Sequence, residues 1–405
     1  MRRIVAGLAG AALLLAAACT ATPAGPDSPA GSLDVLPGTA GGDRLLVLLN
    51  DGTILTIGPD GAEPVILRRP GPIDVEASQP VWAPDGSAVS WVELPTGGPP
   101  ATSTLVTSPP LRSRRTEVPV DAAMFFLHWD PTSSRVAYLG SFQGSIGVGW
   151  AEPHAEGGPV AQTIGRGQPF YVSWAPTGDR LLVHVGAKTL GRLELDGELV
   201  ELGDRPGLFH APVWLEDDRL VYVTGGSGRQ ALVVRRAERT DVLLRFRGAI
   251  EFVVSPGGER IAYRIDTGEG SGPVSVVDVG SGRSTRIADV PSVAFDWSPD
   301  GRRLLVLAQT STPDPTTHRW LVWDGGDAEP VGVPFLPSPR YIREYLPFFG
   351  QYAQAMTLWS PDGRAFAFPG LIGDRAGIWV QELDATEPSF VQDGGSMVTW
   401  SPVAL

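Results

Sequence analysis

Trp297-Ser-Pro-Asp-Gly301 and Trp359-Ser-Pro-Asp-Gly363 are one five-residue phrase written twice in a chain of 405 residues, and the search for further copies decides the fold. Trp82-Ala-Pro-Asp-Gly86, Trp129-Asp-Pro-Thr-Ser133 and Trp174-Ala-Pro-Thr-Gly178 are near copies. Trp214-Leu-Glu-Asp-Asp218 lacks the proline, Val254-Ser-Pro-Gly-Gly258 lacks the tryptophan, and Trp400-Ser-Pro402 stands near the end of the chain. Successive copies are 47, 45, 40, 40, 43, 62 and 41 residues apart. An apolar run follows each of the first seven, as at 88–92, 181–185 and 304–307. The phrase reads as a strand ending at the Trp, a tight turn, then a buried strand. Pro presets φ, Asp bonds nearby backbone, and Gly takes the position that needs positive φ. Two shorter strands complete a unit, as at 191–195 and 198–202 around the Asp196-Gly197 turn. Four strands per ~40–45 residues is the arithmetic of a β-propeller blade, with the Trp filling the wedge between neighbouring sheets.

Composition agrees. Fifty Gly and 38 Pro exclude a helical bundle, and a 42% hydrophobic share can build a sizeable core. A net charge of −13 argues against a general grip on nucleic acid. Lys188 is the only lysine and sits in Gly-Ala-Lys-Thr, so no P-loop ends on it. Cys19 is the only cysteine, which excludes an intrachain disulfide framework and a Cys-rich metal site.

The Trp-Ser-Pro-Asp-Gly unit with its apolar strand resembles the propeller repeat of TolB-like proteins, also found in prolyl-oligopeptidase-type peptidases. The resemblance covers residues 43–405 and implies an all-β chain, a single propeller of four-stranded blades. Eight blades are expected, the ring being closed by strands from both ends of the described repeat: 397–400 as the innermost strand of the blade completed by 44–67. The alternative is seven, with 210–290 forming fewer than two sheets.

The N-terminus carries an address. Arg2 and Arg3 precede an apolar stretch over 4–18 that ends in Ala16-Ala17-Ala18 before Cys19. This resembles a bacterial lipoprotein signal, with Leu15 four positions before the cysteine where the pattern has Leu three before. It implies cleavage after residue 18, lipid on Cys19 and an extracytoplasmic, membrane-anchored protein. The alternative is an ordinary secretory signal. Residues 19–42 read as the lipidated Cys and a flexible linker, and no later stretch has 18 consecutive apolar residues.

No Gly-x-Ser-x-Gly elbow and no His-Glu-x-x-His pairing is present, so no catalytic residue, metal or cofactor is assigned. Asp85, Asp300 and Asp362 are read as turn residues rather than a carboxylate cluster. The 62-residue interval leaves two long loops, 309–318 and 333–355. His318, Phe335, Arg340, Tyr341, Arg343, Tyr345, Phe348, Phe349 and Tyr352 are the candidate partner-binding residues, since aromatics and Arg dominate recognition hot spots. After Pro339, residues 340–346 suit about two helical turns with Tyr341 and Tyr345 on one side. The competing reading is that these aromatics plug the channel mouth or pad a seam. Two functions follow: an envelope protein-interaction or scaffold module, with a protein partner and the membrane but no nucleic acid; or a propeller binding a small ligand or carbohydrate, with enzymatic activity in its channel.

Overall fold

The computed structural model describes residues 42–405 apart from 72–73, 98–101, 143, 168–169, 209, 227, 269–271 and 311–316. Cys19, the signal and most of the linker lie outside the described residues. Among the described residues no helix is long and apolar enough to cross a membrane.

The repeat reading holds strand by strand. In the first full unit Val75–Trp82 pairs with Val89–Pro95, then Ser103–Ser108, then Thr116–Val120, each antiparallel to the last. Counted by hydrogen bonding, the described residues make six four-stranded sheets and one seven-stranded sheet. The large one is a four-stranded unit, Ser292–Trp297 to Glu329–Pro337, joined to a three-stranded unit through the pairs Leu336↔Leu371 and Pro337↔Gly370. A single bridge, Trp359↔Phe366, supplies the three-stranded unit with its motif strand. The stretch where the motif is weakest still forms two complete sheets, because Val213–Trp214 and Ala249–Val254 take the first-strand positions without a full motif. Gly395–Trp400 pairs antiparallel with Leu45–Leu49, Trp400 opposite Leu45 and Met397 opposite Leu48, as the joined-ends expectation requires.

The turn chemistry explains why the motif tolerates variation. In all seven turns followed by a strand, the N–H of the fifth motif residue donates to the carbonyl of the second, at 2.8 to 3.0 Å. That fifth residue always has positive φ, including the non-glycines Ser133 (58°) and Asp218 (65°). The motif aspartates serve the turn: Asp300 Oδ1 accepts from Arg302 N–H, and Asp362 Oδ1 from Arg364 N–H. At Gly178 two constraints coincide, φ of +68° and a Cβ position that would collide with the Asp130 carboxylate of the preceding unit. Gly178→Ala is therefore expected to lower stability by about 1–3 kcal/mol, read as a shift of the urea midpoint at unchanged slope. An unchanged midpoint would show that the turn has room to give.

The tryptophans lock one unit to the next. Trp174 Nε1 donates to His128 O at 2.9 Å, Trp297 Nε1 to Val253 O at 3.0 Å, and Trp82 and Trp359 to Thr399 O and Asp296 O at 3.4 Å. Every acceptor is the carbonyl just before the motif's first position in the preceding unit, so the repeat carries its own latch. Trp214 departs from this, donating instead to Asp218 Oδ1 within its own turn. The motif indoles are buried and supply large apolar surface to the seams, and Trp129 departs from the latch as well, its Nε1 being buried without a hydrogen-bond partner.

Candidate functional site

The 62-residue interval holds a structure the repeat alone would not build. The strand Glu329–Pro337 runs on through the first part of the expected loop, and helical backbone follows over 339–352. Ser338 caps it: Ser338 Oγ accepts from Tyr341 N–H at 3.1 Å while Pro339 opens the first turn. The expected turns after Pro339 are present, and the helical backbone continues further, through Tyr341–Tyr345, Leu346–Phe348 and Phe349–Tyr352.

This insert reaches the first strands of most of the sheets. Gln351 pairs with the backbone of Val172 twice, accepting from its N–H at 2.9 Å and donating to its carbonyl at 2.8 Å. Gln354 Nε2 donates to Pro212 O at 3.0 Å, and Ser338 Oγ to Ser396 O at 2.6 Å. Phe349 meets Phe295 edge-on at 4.9 Å, and Tyr352 meets Phe126 edge-on at 5.3 Å. Tyr352 also donates to Gln79 Oε1 at 2.8 Å. Gln79 holds a left-handed backbone, φ 56°, in the irregular stretch of strand Val75–Trp82, a strained conformation kept at the point of contact with the insert. The insert is thus a plug bolted to the surrounding strands.

The structure therefore corrects the expected partner surface. Tyr341, Tyr345, Phe349 and Tyr352 are buried, and Tyr341, Tyr345 and Tyr352 form a stack with ring centroids 4.6 and 5.4 Å apart. Phe335 and His318 are buried in the seven-stranded sheet, where they face each other across adjacent strands and Phe335 packs on Phe368 at 4.6 Å. The reason is volume: the first strands leave a central space, and the aromatic rings of the insert are what fills it. Arg340 is half-buried, paired with Glu76 at 2.9 Å and Glu344 at 3.5 Å. Arg343 and Phe348 stay exposed, with Ile342 beside them. Of loop 309–318, residues 311–316 lie outside the described residues.

Sequence reasoning missed a polar cluster against the plug. His210 Nε2 lies 3.2 Å from Glu251 Oε2, and its Nδ1 lies 3.0 Å from Ala211 O. Phe252 stacks on that ring at 4.3 Å, Tyr171 stands 6.4 Å away, and His184 Nδ1 is 3.1 Å from His210 O. A Cβ on Gly350 would stand 3.3 Å from the His210 ring and from Phe252 O, so any larger residue would require these neighbours to give by a few tenths of an ångström. Burial pushes His184 down to about 4, and His128, behind Gln354, also to about 4. Burial lifts Asp296 up to about 7, and its Oδ2 and the Tyr341 hydroxyl are both buried without a hydrogen-bond partner. Among the described residues no group of three or more His, Cys, Asp or Glu is placed to hold a metal ion.

No family model matches the chain, and no curated protein matches it. Solved structures do. A structure of a eukaryotic initiation factor aligns over 90% of this chain and 99% of its own, at 10% identity and TM-score 0.57. The β-propeller domain of the trilobed protease from Pyrococcus furiosus aligns over 79% and 98%, at 13% identity and TM-score 0.52. TolB from Acinetobacter baumannii aligns over 88% and 82% at 12% identity, with a TM-score of only 0.40. Likeness at this level of identity speaks for fold alone, and with the sheets described above it makes this chain an all-β protein of the β-propeller class.

Proposed function

We propose that this protein is a lipid-anchored, extracytoplasmic propeller of eight blades, its ring closed by the pairing of Gly395–Trp400 with Leu45–Leu49, that works as a protein-interaction or scaffold module of the bacterial envelope. The observation that carries the reading is the plug. A centre filled by the chain's own Tyr341, Tyr345, Phe349 and Tyr352 leaves the outer surfaces to do the binding. Ile342, Arg343 and Phe348 are exposed side chains that the insert offers there, two apolar and one guanidinium, the composition of an interface anchor. The anchor at Cys19 rests on the sequence alone.

A second reading, a small-ligand or carbohydrate-binding propeller with activity at its centre, is favoured by the His210–Glu251 pair with Tyr171 beside it. One experiment separates the two. Cys19→Ser is expected to move the protein from the membrane to the soluble fraction. In the anchored protein, Ile342→Ser with Arg343→Ala and Phe348→Ala is expected to abolish cross-linked partner capture while the melting temperature stays within ~2 °C, as for exposed sites. Capture that survives the triple change rejects this docking surface. A Cys19→Ser protein that remains membrane-bound rejects the anchor.

A further inference from the structure

The sheet built on Val213–Trp214 is polarised in a way the fold does not require. At one end its arginines are neutralised: Arg235 by Asp204 at 3.2 Å, Arg236 and Arg219 by Asp217 at 3.1 and 2.6 Å, Arg239 by Asp241 at 3.0 Å. At the other end Arg205, Arg229, Arg245 and Arg247 are all exposed, and among the described residues none of the four makes an ion pair. Arg229 and Arg247 line two adjoining hollows of about 430 and 660 Å³, Arg205 completing the smaller and Arg245 the larger. In a chain of net charge −13, four unneutralised guanidinium groups around shared hollows repel one another and await a counter-charge.

Their backbones are held in place. Gln230, nearly fully buried, accepts from Leu208 N–H at 2.5 Å and donates to Gly248 O at 2.7 Å. It thereby ties the loop of Arg205 and the turn of Arg247 to the strand that begins at Arg229. The Arg205 carbonyl also accepts from Gly225 N–H at 3.0 Å and Thr224 Oγ1 at 2.7 Å. The nearest carboxylate of that loop, Asp204, is engaged by Tyr222 and Arg235.

We propose that Arg205, Arg229, Arg245 and Arg247 form a binding site for a small anion carrying several phosphate groups. Guanidinium forks match phosphoryl oxygens two at a time, and four of them around one opening favour a ligand with several negative charges in a short span. The site is separate from the plug and from the docking group proposed above.

Calorimetric titration of the whole protein with tripolyphosphate in 20 mM salt tests it. Saturable binding is expected, weakened at least 10-fold by Arg229→Ala with Arg247→Ala and weakened steeply in 300 mM salt. Arg236→Ala, at the neutralised end of the same sheet, is expected to leave binding unchanged. Flotation with vesicles of phosphatidylglycerol or of phosphatidylcholine alone distinguishes the source. Binding to tripolyphosphate and phosphatidylglycerol together supports the site with lipid phosphate as its source; tripolyphosphate alone supports it with a soluble one. No saturable binding of tripolyphosphate, an equal loss in Arg236→Ala, or binding to vesicles alone overturns the proposal.

Discussion

A chain lacking residues 395–405 is expected to lose its cooperative native transition, or to melt at least 10 °C below the full-length protein. The deleted strand supplies Met397, Val398 and Trp400, all nearly fully buried, and its removal opens the apolar seam of Leu45, Val47, Ile57, Ala367 and Ile378 to water. Losing one buried Trp alone costs about 3–5 kcal/mol. The strand also accepts the Trp82 indole at Thr399 O, donates Ser396 Oγ to Leu48 O at 2.9 Å, and receives the cap of the plug through Ser338. Orphaning those groups adds about 1–3 kcal/mol each where they stay buried. The total is comparable with the whole stability of a typical domain, about 5–15 kcal/mol. Since a truncated chain can fail to accumulate, Trp400→Ala is the companion variant, with an expected loss of about 3–5 kcal/mol in urea unfolding. Truncated and full-length proteins melting together would mean that the two ends do not hold the array.

The repeat made most of this legible beforehand. Trp-Ser-Pro-Asp-Gly encodes a turn whose hydrogen bonds are local, so each copy can be read by itself, and Trp400 with the strand at Leu45–Leu49 followed from counting periods. The insert was half legible. Pro339 and the spacing of Tyr341 and Tyr345 announced a helix, but not which way its face turns. Direction is set by the space between strands far away in sequence, as in the bonds from Gln351 to Val172, 179 residues apart, and from Tyr352 to Gln79, 273 residues apart. The polar cluster was the least visible. Tyr171, His210 and Glu251 are brought together by three different units, and no spacing links them. A signal did exist in the register of the repeat. Counted from the motif's first position, Gln79, Tyr171 and Glu251 each stand three residues before it, and His128 and Asp296 each stand one before it. Polar side chains recurring at those two places of the first strands mark what faces the centre.

Asp296→Asn is expected to stabilise the protein at pH 8 and to leave it nearly unchanged at pH 4. Asp296 sits beneath Tyr341 and Tyr345, whose hydroxyls burial keeps protonated well past the ordinary tyrosine range. Burial lifts its carboxyl to about 7 from an ordinary 3.8, against backbone hydrogen bonds from Leu358 and Trp297. The folded state therefore holds a proton that the unfolded chain gives up. Stability from this group is whole below pH ~4, declines as pH rises through about 7, and above that the ionised carboxylate costs up to about 4 kcal/mol. His128 and His184 act in the opposite sense. Buried neutral, with values lowered to about 4, they contribute stability that is whole above pH ~6.5 and lost on acidification towards 4. Together the three groups place the optimum near pH 6.5, with Asp296 alone responsible for a fall on the alkaline side. Asparagine keeps one oxygen for the two backbone donors and removes the charge, so the alkaline fall should flatten and the melting temperature at pH 8 should rise by several degrees. Melting curves of both proteins from pH 4 to 8.5 read this directly. A difference between them that stays constant across that range would show that the proton is not on Asp296, and that the plug is seated by its tyrosine stack without help from the carboxyl beneath it.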